Sequence, residues 1–305
     1  MSHTKMLTCN EKHTFNCDFM PPASWTPHFE NLKAQFDFAI AEDIGDGDHS
    51  ALSSIPSEQR GKAQLIIKEN GVFAGGALAA YLFKYIDATA TVKHFIEDGA
   101  LAEKGTLALT VEGNTIKLLQ SERLVLNYLQ RLSGIATRTY SYARLIDHTK
   151  CTVLDTRKTT PGLRVLEKWA VALGGGGNHR MGLYDMVMLK DNHIDFAGGI
   201  SKAVARTKAY LAESNRTLAI EVETRNMQEV SAAIQAGVDR IMLDNFSISE
   251  TKEAVEYIAG RTEVESSGGI THDTLVPYAE CGVDFISVGA LTHHIKGLDM
   301  SLKAL

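Results

Sequence analysis

In the second half of this 305-residue chain, each short apolar run ends in a residue that can handle an anion, a cation or a hydroxyl. Arg157-Lys158 follow TVLD, and Lys190 to His193 follow MVML. LAIEV ends at Glu223, RIML at Asp244-Asn245, TEVES at Ser267-Gly268-Gly269 and DFISV at Gly289. One charged residue after one strand marks only a return to solvent. Six such endings in series, with basic and acidic members, predict a site along one rim. Arginine's planar fork suits carboxylates, and lysine suits phosphate as a point charge. Ser267, Gly268 and Gly269, between a strand end and a helix start, are expected to hold a phosphate, with Gly289 approaching the same anion. Glu223 and Asp244 suit Mg²⁺ or sugar hydroxyls. The competing reading makes them structural ion pairs with Lys158 or Lys190.

The stretch from Asp155 to His193 also holds Arg164, Lys168, His179 and Arg180, yet its net formal charge is only +2. Position therefore counts for more than number. Arg157, Lys158 and Lys190 stand at strand ends, which points to a small ligand bearing several carboxylates or phosphates. His179-Arg180 reads equally as an exposed loop pair. The GGGG run at 174–177 matches neither a Walker loop nor a dinucleotide fingerprint, and predicts a loop whose backbone approaches something closely. Zinc chemistry is unsupported: there is no HExxH, and the adjacent His293-His294 reads as surface.

These residues need a scaffold. From Cys151 onward, apolar runs alternate with helical patterns, and the last four runs recur about every 22 residues. Near-continuous apolar strands of this kind predict a parallel sheet buried on both faces, with closure into a barrel favoured over an open sheet. Asn226-x-x-Glu229 predicts a capped helix start. Before Ser121 the pattern differs. AQLIIKE, TVKHFIE and TLALTVEG read as strands, with Leu107, Leu109 and Val111 on one face, and GGALAAYLFKYI reads as a helix. That predicts an open sheet with helices on one face. A long helix from Ser121, with Leu124, Tyr128, Leu132, Ile135 and Thr139 along one side, is expected to bridge the two halves.

The composition narrows the classes. Hydrophobic residues make up 44% and charged residues 22%, which excludes a disordered chain or a disulfide-framed miniprotein. A net charge of −6 argues against a general nucleic-acid binder. Cys9, Cys17, Cys151 and Cys281 are scattered, with no CxxC pair, as expected of reduced thiols in a cytoplasmic protein. No apolar stretch is long enough to span a membrane, and the polar N-terminus lacks the apolar core of a signal peptide.

The run LDTRKTTPGLRVLEKWAVALGGGGNHRMGLYDMVMLKDNHI (154–194) closely resembles the central block of the quinolinate phosphoribosyltransferase family. EDIGDGDHS (42–50), SERLVLNYLQRLSGIAT (121–137), EVET (221–224), MLDNF (242–246), SSGGIT (266–271) and ISVGALTH (286–293) match it in order. The resemblance implies an α/β fold: an N-terminal open sandwich followed by an incomplete TIM-like barrel. It divides the chain into an extension (1–27), a sandwich (28–125) and a barrel (126–290), with 291–305 returning to the sandwich. It implies conversion of quinolinate and phosphoribosyl pyrophosphate to nicotinate mononucleotide, CO₂ and pyrophosphate with Mg²⁺, in a homodimer or larger assembly with shared sites. Arg157, His179, Arg180 and Lys190 would hold the quinolinate carboxylates, with Arg123 reaching in from a partner subunit. Lys158 and Lys190 would meet the donor's phosphates. Glu223 and Asp244 would bind ribose hydroxyls and the Mg²⁺ region, and Ser267, Gly268, Gly269 and Gly289 the 5′-phosphate. Lys158, Lys190, Glu223 and Asp244 are thus the expected catalytic set. Three other readings compete: a paralogous transferase with another anionic ring acceptor, a Schiff-base aldolase using Lys158 or Lys190, and a metabolite-binding protein without activity.

Overall fold

The computed structural model describes residues 25–305; nearly all of the polar N-terminal extension lies outside them. The first unit contains α1 (Lys33–Ile44), α2 (His49–Ser54), β1 (Arg60–Ile67), β2 (Gly71–Val72), α3 (Gly76–Ile86), β3 (Thr91–His94), β4 (Leu101–Ala102) and β5 (Leu107–Asn114). Then come α4 (Thr115–Leu145), β6 (Thr152–Leu154), α5 (Arg164–Leu173), β7 (Val187–Leu189), α6 (Asp191–Ala197) and α7 (Ile200–Glu213). The chain continues through β8 (Ile220–Thr224), α8 (Met227–Ala236), β9 (Arg240–Asp244), α9 (Ile248–Ile258) and β10 (Glu263–Ser267). It ends with α10 (Leu275–Glu280), β11 (Phe285–Ser287), α11 (Ala290–His293) and β12 (Met300–Ala304).

The first sheet has the order β12-β1-β5-β3, all antiparallel. Ala63, Leu65 and Ile67 on β1 are buried at alternate positions, the period of a strand with one dry face. The alternation expected for β5 breaks at Ala108. The register with β1 shifts between Leu65 and Ile66, so Ala108 is an extra residue and is buried beside Leu109. The C-terminal β12 lies beside β1 in register from Ala63↔Ala304 to Ile67↔Met300.

The long helix starts six residues before the expected Ser121. Asn114 caps it: its side chain accepts from Lys117 N at 3.2 Å. Of the expected stripe, Leu132, Ile135 and Thr139 are buried, while Leu124 and Tyr128 are only half-buried; Val125 and Leu129 are buried beside them, because α4 packs on the first unit and on the barrel. Among the described residues no helix is long and apolar enough to cross a membrane.

The second sheet has six parallel strands in the order β6-β11-β10-β9-β8-β7. Among the described residues β6 and β7, the two ends of that order, do not pair, so the barrel is incomplete. An isolated bridge from Leu154 to Gly177 lies at the β6 edge. The glycine run enters here, and its backbone does approach something closely. A Cβ on Gly174 would overlap the Ala136 carbonyl oxygen of α4. Asn226 caps α8 by accepting from Glu229 N at 3.0 Å, as its spacing predicts.

Candidate active site

Strand order sets which rim residues become neighbours. Parallel strands deliver their C-terminal ends to one edge, and β9 pairs with β10 so that Asp244 lies opposite Ser267. Asn245 N donates to Ser267 O at 2.9 Å, and Asn245 Nδ2 to Asp244 Oδ2 at 2.8 Å. Gly268 follows with φ +95°, and a Cβ there would collide with the Asn245 side chain. The glycine loop and the acidic strand end are thus locked together. The loop does not lead straight into a helix, as expected from the sequence. A turn from Thr271 to Thr274 intervenes before α10, so backbone geometry rather than a helix terminus shapes this grip.

Lys190 and Glu223 meet directly, Nζ to Oε2 at 2.5 Å. The expected carboxylate therefore carries an ion pair with one of the two lysines named for it. Lys158 stands exposed beside Gly289, and its backbone oxygen accepts from Thr292 Oγ1 at 3.0 Å. His293, read as plain surface, is exposed but borders Lys158 and Gly289. Burial, reinforced by the neighbouring His294 and Lys158, lowers its pKa.

Arg157 and Arg180 form the cationic side of the rim. Arg157 is exposed and Arg180 half-buried, its Nη1 donating to Met186 O at 3.2 Å. Burial, and then the like charge of Arg157, lowers the Arg180 pKa. Two guanidiniums held close enough to repel are stabilised by an anion between them. Arg164 is not a rim cation. It ties the loop together, reaching Thr159 Oγ1 at 3.1 Å and Met181 O at 3.2 Å.

Lys168 is completely buried. It pairs with buried Asp155 at the end of β6 and donates to His179 O at 2.8 Å. Asp155 also accepts from His179 N at 2.9 Å and Asn178 Nδ2 at 2.6 Å. These bonds fasten the loop carrying His179 and Arg180 to the strand carrying Arg157 and Lys158. Sequence reading counted Lys168 as a cation and missed this use. The signal was available: Lys168 lies on the apolar face of α5 with Trp169 and Val171 as buried neighbours. A second clamp holds the segment after Lys158. Arg131 pairs with buried Glu167 at 2.7 Å and donates to Thr160 Oγ1 at 2.7 Å.

His179 is neither an exposed loop residue nor a group at the mouth. It is 7% exposed and points into the barrel, where Nε2 lies 3.0 Å from Glu221 and 3.6 Å from Glu265. Its Nδ1 accepts from Arg180 N at 2.7 Å. Glu221, Glu265 and Arg240 were also missed. IEVET and EVESS each place two carboxylates two residues apart, hence on one strand face, and that period was the available signal. Arg123 stands exposed on the N-terminal half of α4 and makes no ion pair among the described residues.

Comparison with known proteins settles the family. Residues 48–133 match the quinolinate phosphoribosyl transferase N-terminal domain, and residues 135–303 match the C-terminal domain. The chain belongs to the quinolinate phosphoribosyltransferase family. It is 46% identical over 93% of its length, and 79% of the relative's, to a rice protein named nicotinate-nucleotide pyrophosphorylase [carboxylating], chloroplastic. A probable nicotinate-nucleotide pyrophosphorylase [carboxylating] from Bacillus subtilis is 41% identical, covering 89% of this chain and 92% of that one. Among solved structures, NadC from Streptococcus pyogenes superposes with a TM-score of 0.87 at 38% identity, over 92% of this chain and all of that one. The α/β fold, a sandwich with a TIM-like barrel, is shared with that neighbour.

Proposed function

We propose that this phosphoribosyltransferase joins quinolinate to phosphoribosyl pyrophosphate and releases nicotinate mononucleotide, CO₂ and pyrophosphate. The observation that carries the reading is the split of the rim. One side holds Arg157 and Arg180, whose like charges oppose each other. The other holds Lys158 beside Gly289, and Asp244 beside the Ser267-Gly268-Gly269 loop. A planar dicarboxylate fits the first side and a phosphorylated ribose the second.

Arg157 and Arg180 grip the quinolinate carboxylates, and Lys190 closes on the same ligand from beside Glu223. His179 supports Arg180 from beneath. Lys158 and Lys190 neutralise charge on the departing pyrophosphate. Ser267, Gly268, Gly269 and Gly289 hold the 5′-phosphate. Glu223 and Asp244 orient the ribose hydroxyls. With the leaving group drawn away, the ring nitrogen attacks the anomeric carbon. The positive charge on the ring nitrogen stabilises the electron pair left on the adjacent carbon when CO₂ departs, and a proton from solvent then bonds to that carbon. The protein's share is orientation and fixed charge rather than a covalent nucleophile.

The acidic rim fits Mg²⁺ brought in with the donor. Asp244 is half-exposed with one oxygen outside its bond to Asn245, and Mg²⁺ asks for only one or two carboxylates besides substrate phosphates and water. Asp244 and Glu223 would hold it, and it would supply charge neutralisation for the donor's phosphates. Scattered cysteines, with Cys151 and Cys281 unpaired among the described residues, support a reducing compartment such as the cytoplasm. Exposed Arg123 supports a site shared between two subunits. A Schiff-base aldolase needs a lysine in an apolar pocket. Lys158 is exposed and Lys190 is bound to a carboxylate, so that reading has no support here.

The test is incubation of purified protein with quinolinate, phosphoribosyl pyrophosphate and Mg²⁺, with chromatography for nicotinate mononucleotide. Product that requires both substrates, with equal CO₂ release, is expected. A folded sample that makes none, but accepts another anionic ring with the same donor, overturns the choice of acceptor.

A further inference from the structure

Beneath the rim, inside the barrel, lies a cluster of ionisable groups that the mechanism above does not use. Glu221 on β8 and Glu265 on β10 are fully buried, and Arg240 on β9 and His179 nearly so. The nearest ligand atoms of His179, Glu221 and Glu265 all lie within 4.8 Å of one another. Arg240 Nη1 reaches Glu265 Oε2 at 3.1 Å, and its ring-facing side stacks on Phe285 at 4.0 Å. Nε2 of His179, both oxygens of Glu221 and Oε1 of Glu265 are buried without an aligned hydrogen-bond partner. Ser287 and Cys151 also border Glu265, and Glu263, 44% exposed, takes the outer side of Arg240.

Electroneutrality limits what can occupy this centre. Two carboxylates and one guanidinium leave one negative charge uncompensated, and a buried uncompensated charge is costly. One proton balances it. A divalent cation would overshoot and would sit against Arg240. The proton has two candidate homes. Burial lowers the His179 pKa, but Glu265 and Glu221 outweigh burial and raise it. The ring, however, accepts Arg180 N–H at Nδ1, and an imidazolium has no lone pair there. Glu265 is the other home: burial and the charge of Glu221 push its pKa up to about 7. Burial also acts to raise Glu221, but neighbouring His179 and Arg240 outweigh it and hold it low.

We propose that Glu265 carries this single proton and is a positioning residue for quinolinate binding, keeping the barrel floor under His179 and Arg180 neutral while the dianion binds above it. Its loss places a net negative charge below the carboxylate grip, so affinity falls as pH rises. The binding half of the proposal rests on the assignment of Arg180 to quinolinate.

The first experiment is infrared titration of the unmodified protein. A buried, slowly exchanging protonated carboxyl band is expected near neutral pH and should fade as pH rises. Absence of that band overturns the proposal without any variant. The second is the pH dependence of KM in wild type and Glu265→Gln, whose amide imitates the acid form. The wild-type KM for quinolinate is expected to rise about tenfold from about pH 6 to about pH 8. Glu265→Gln should lose the band and show a flat KM profile, with kcat retained. The same slope in Glu265→Gln, or a uniform loss of activity at every pH, overturns the positioning role. So does one tightly held equivalent of divalent metal in the purified protein. If Arg180→Ala leaves KM for quinolinate unchanged, the substrate assignment fails, while the infrared result still decides where the proton sits.

Discussion

Arg180 lies where two demands meet. Its side chain faces the like charge of Arg157, and its backbone N–H fixes the tautomer of His179. Removing the guanidinium takes away a charge-assisted contact, a loss of about 1.5–3 kcal/mol. Arg180→Ala is therefore expected to raise KM for quinolinate by roughly tenfold to a hundredfold, with KM for the phosphoribosyl donor nearly unchanged. Equal losses for both substrates in steady-state kinetics would refute the split rim. Lys168 gives a stability prediction instead. Lys168→Met strips buried Asp155 of its counter-ion, which costs about 3–5 kcal/mol when one partner of a buried pair is lost. A urea midpoint unchanged from wild type would show that the clamp is not holding the loop. The rim residues were legible from sequence because each follows a strand. The buried ones left a fainter signal, a lysine on an apolar helix face and glutamates two apart inside apolar runs, whose use shows only once the strands are assembled.

At the scale of elements, the gap between β6 and β7 shapes the site. A closed barrel would put a strand pair there. The α5–loop segment fills that edge instead, carrying His179 and Arg180 to Arg157 and Lys158. The loop reaches this place only because Gly174 lets it press on α4. Gly174→Ala would drive a methyl group into the Ala136 carbonyl, and overpacking of this kind costs about 1–3 kcal/mol. The variant should melt earlier and lose quinolinate affinity more than donor affinity, since the 179–180 loop moves while the Ser267 loop does not. A variant with wild-type Tm and KM would show that the close packing has no consequence. The βα alternation was readable because each strand is a short apolar run with a polar end. The early start of α4 was not, because Gly113-Asn114 serves a turn and a helix cap equally well. The Ala108 bulge was hidden too, since a bulge depends on the partner strand's register.

For the whole molecule, the unexplained feature is Arg123. It matches the family motif on α4, is exposed, and pairs with no acid among the described residues. An arginine that faces solvent in one subunit can complete the carboxylate grip of another. If so, neither Arg123→Ala nor Lys190→Ala alone should retain much activity, since each breaks both sites of a homodimer. Mixed dimers behave differently. The site that combines the Arg123→Ala barrel with the partner's intact Arg123 is whole, and the other carries both changes. Random exchange makes about half of the dimers mixed, each with one working site, so activity should recover to about a quarter of wild type. Recovery should track subunit exchange and be absent in cross-linked homodimers. No recovery in a mixture shown by mass to contain mixed dimers would place Arg123 outside the site.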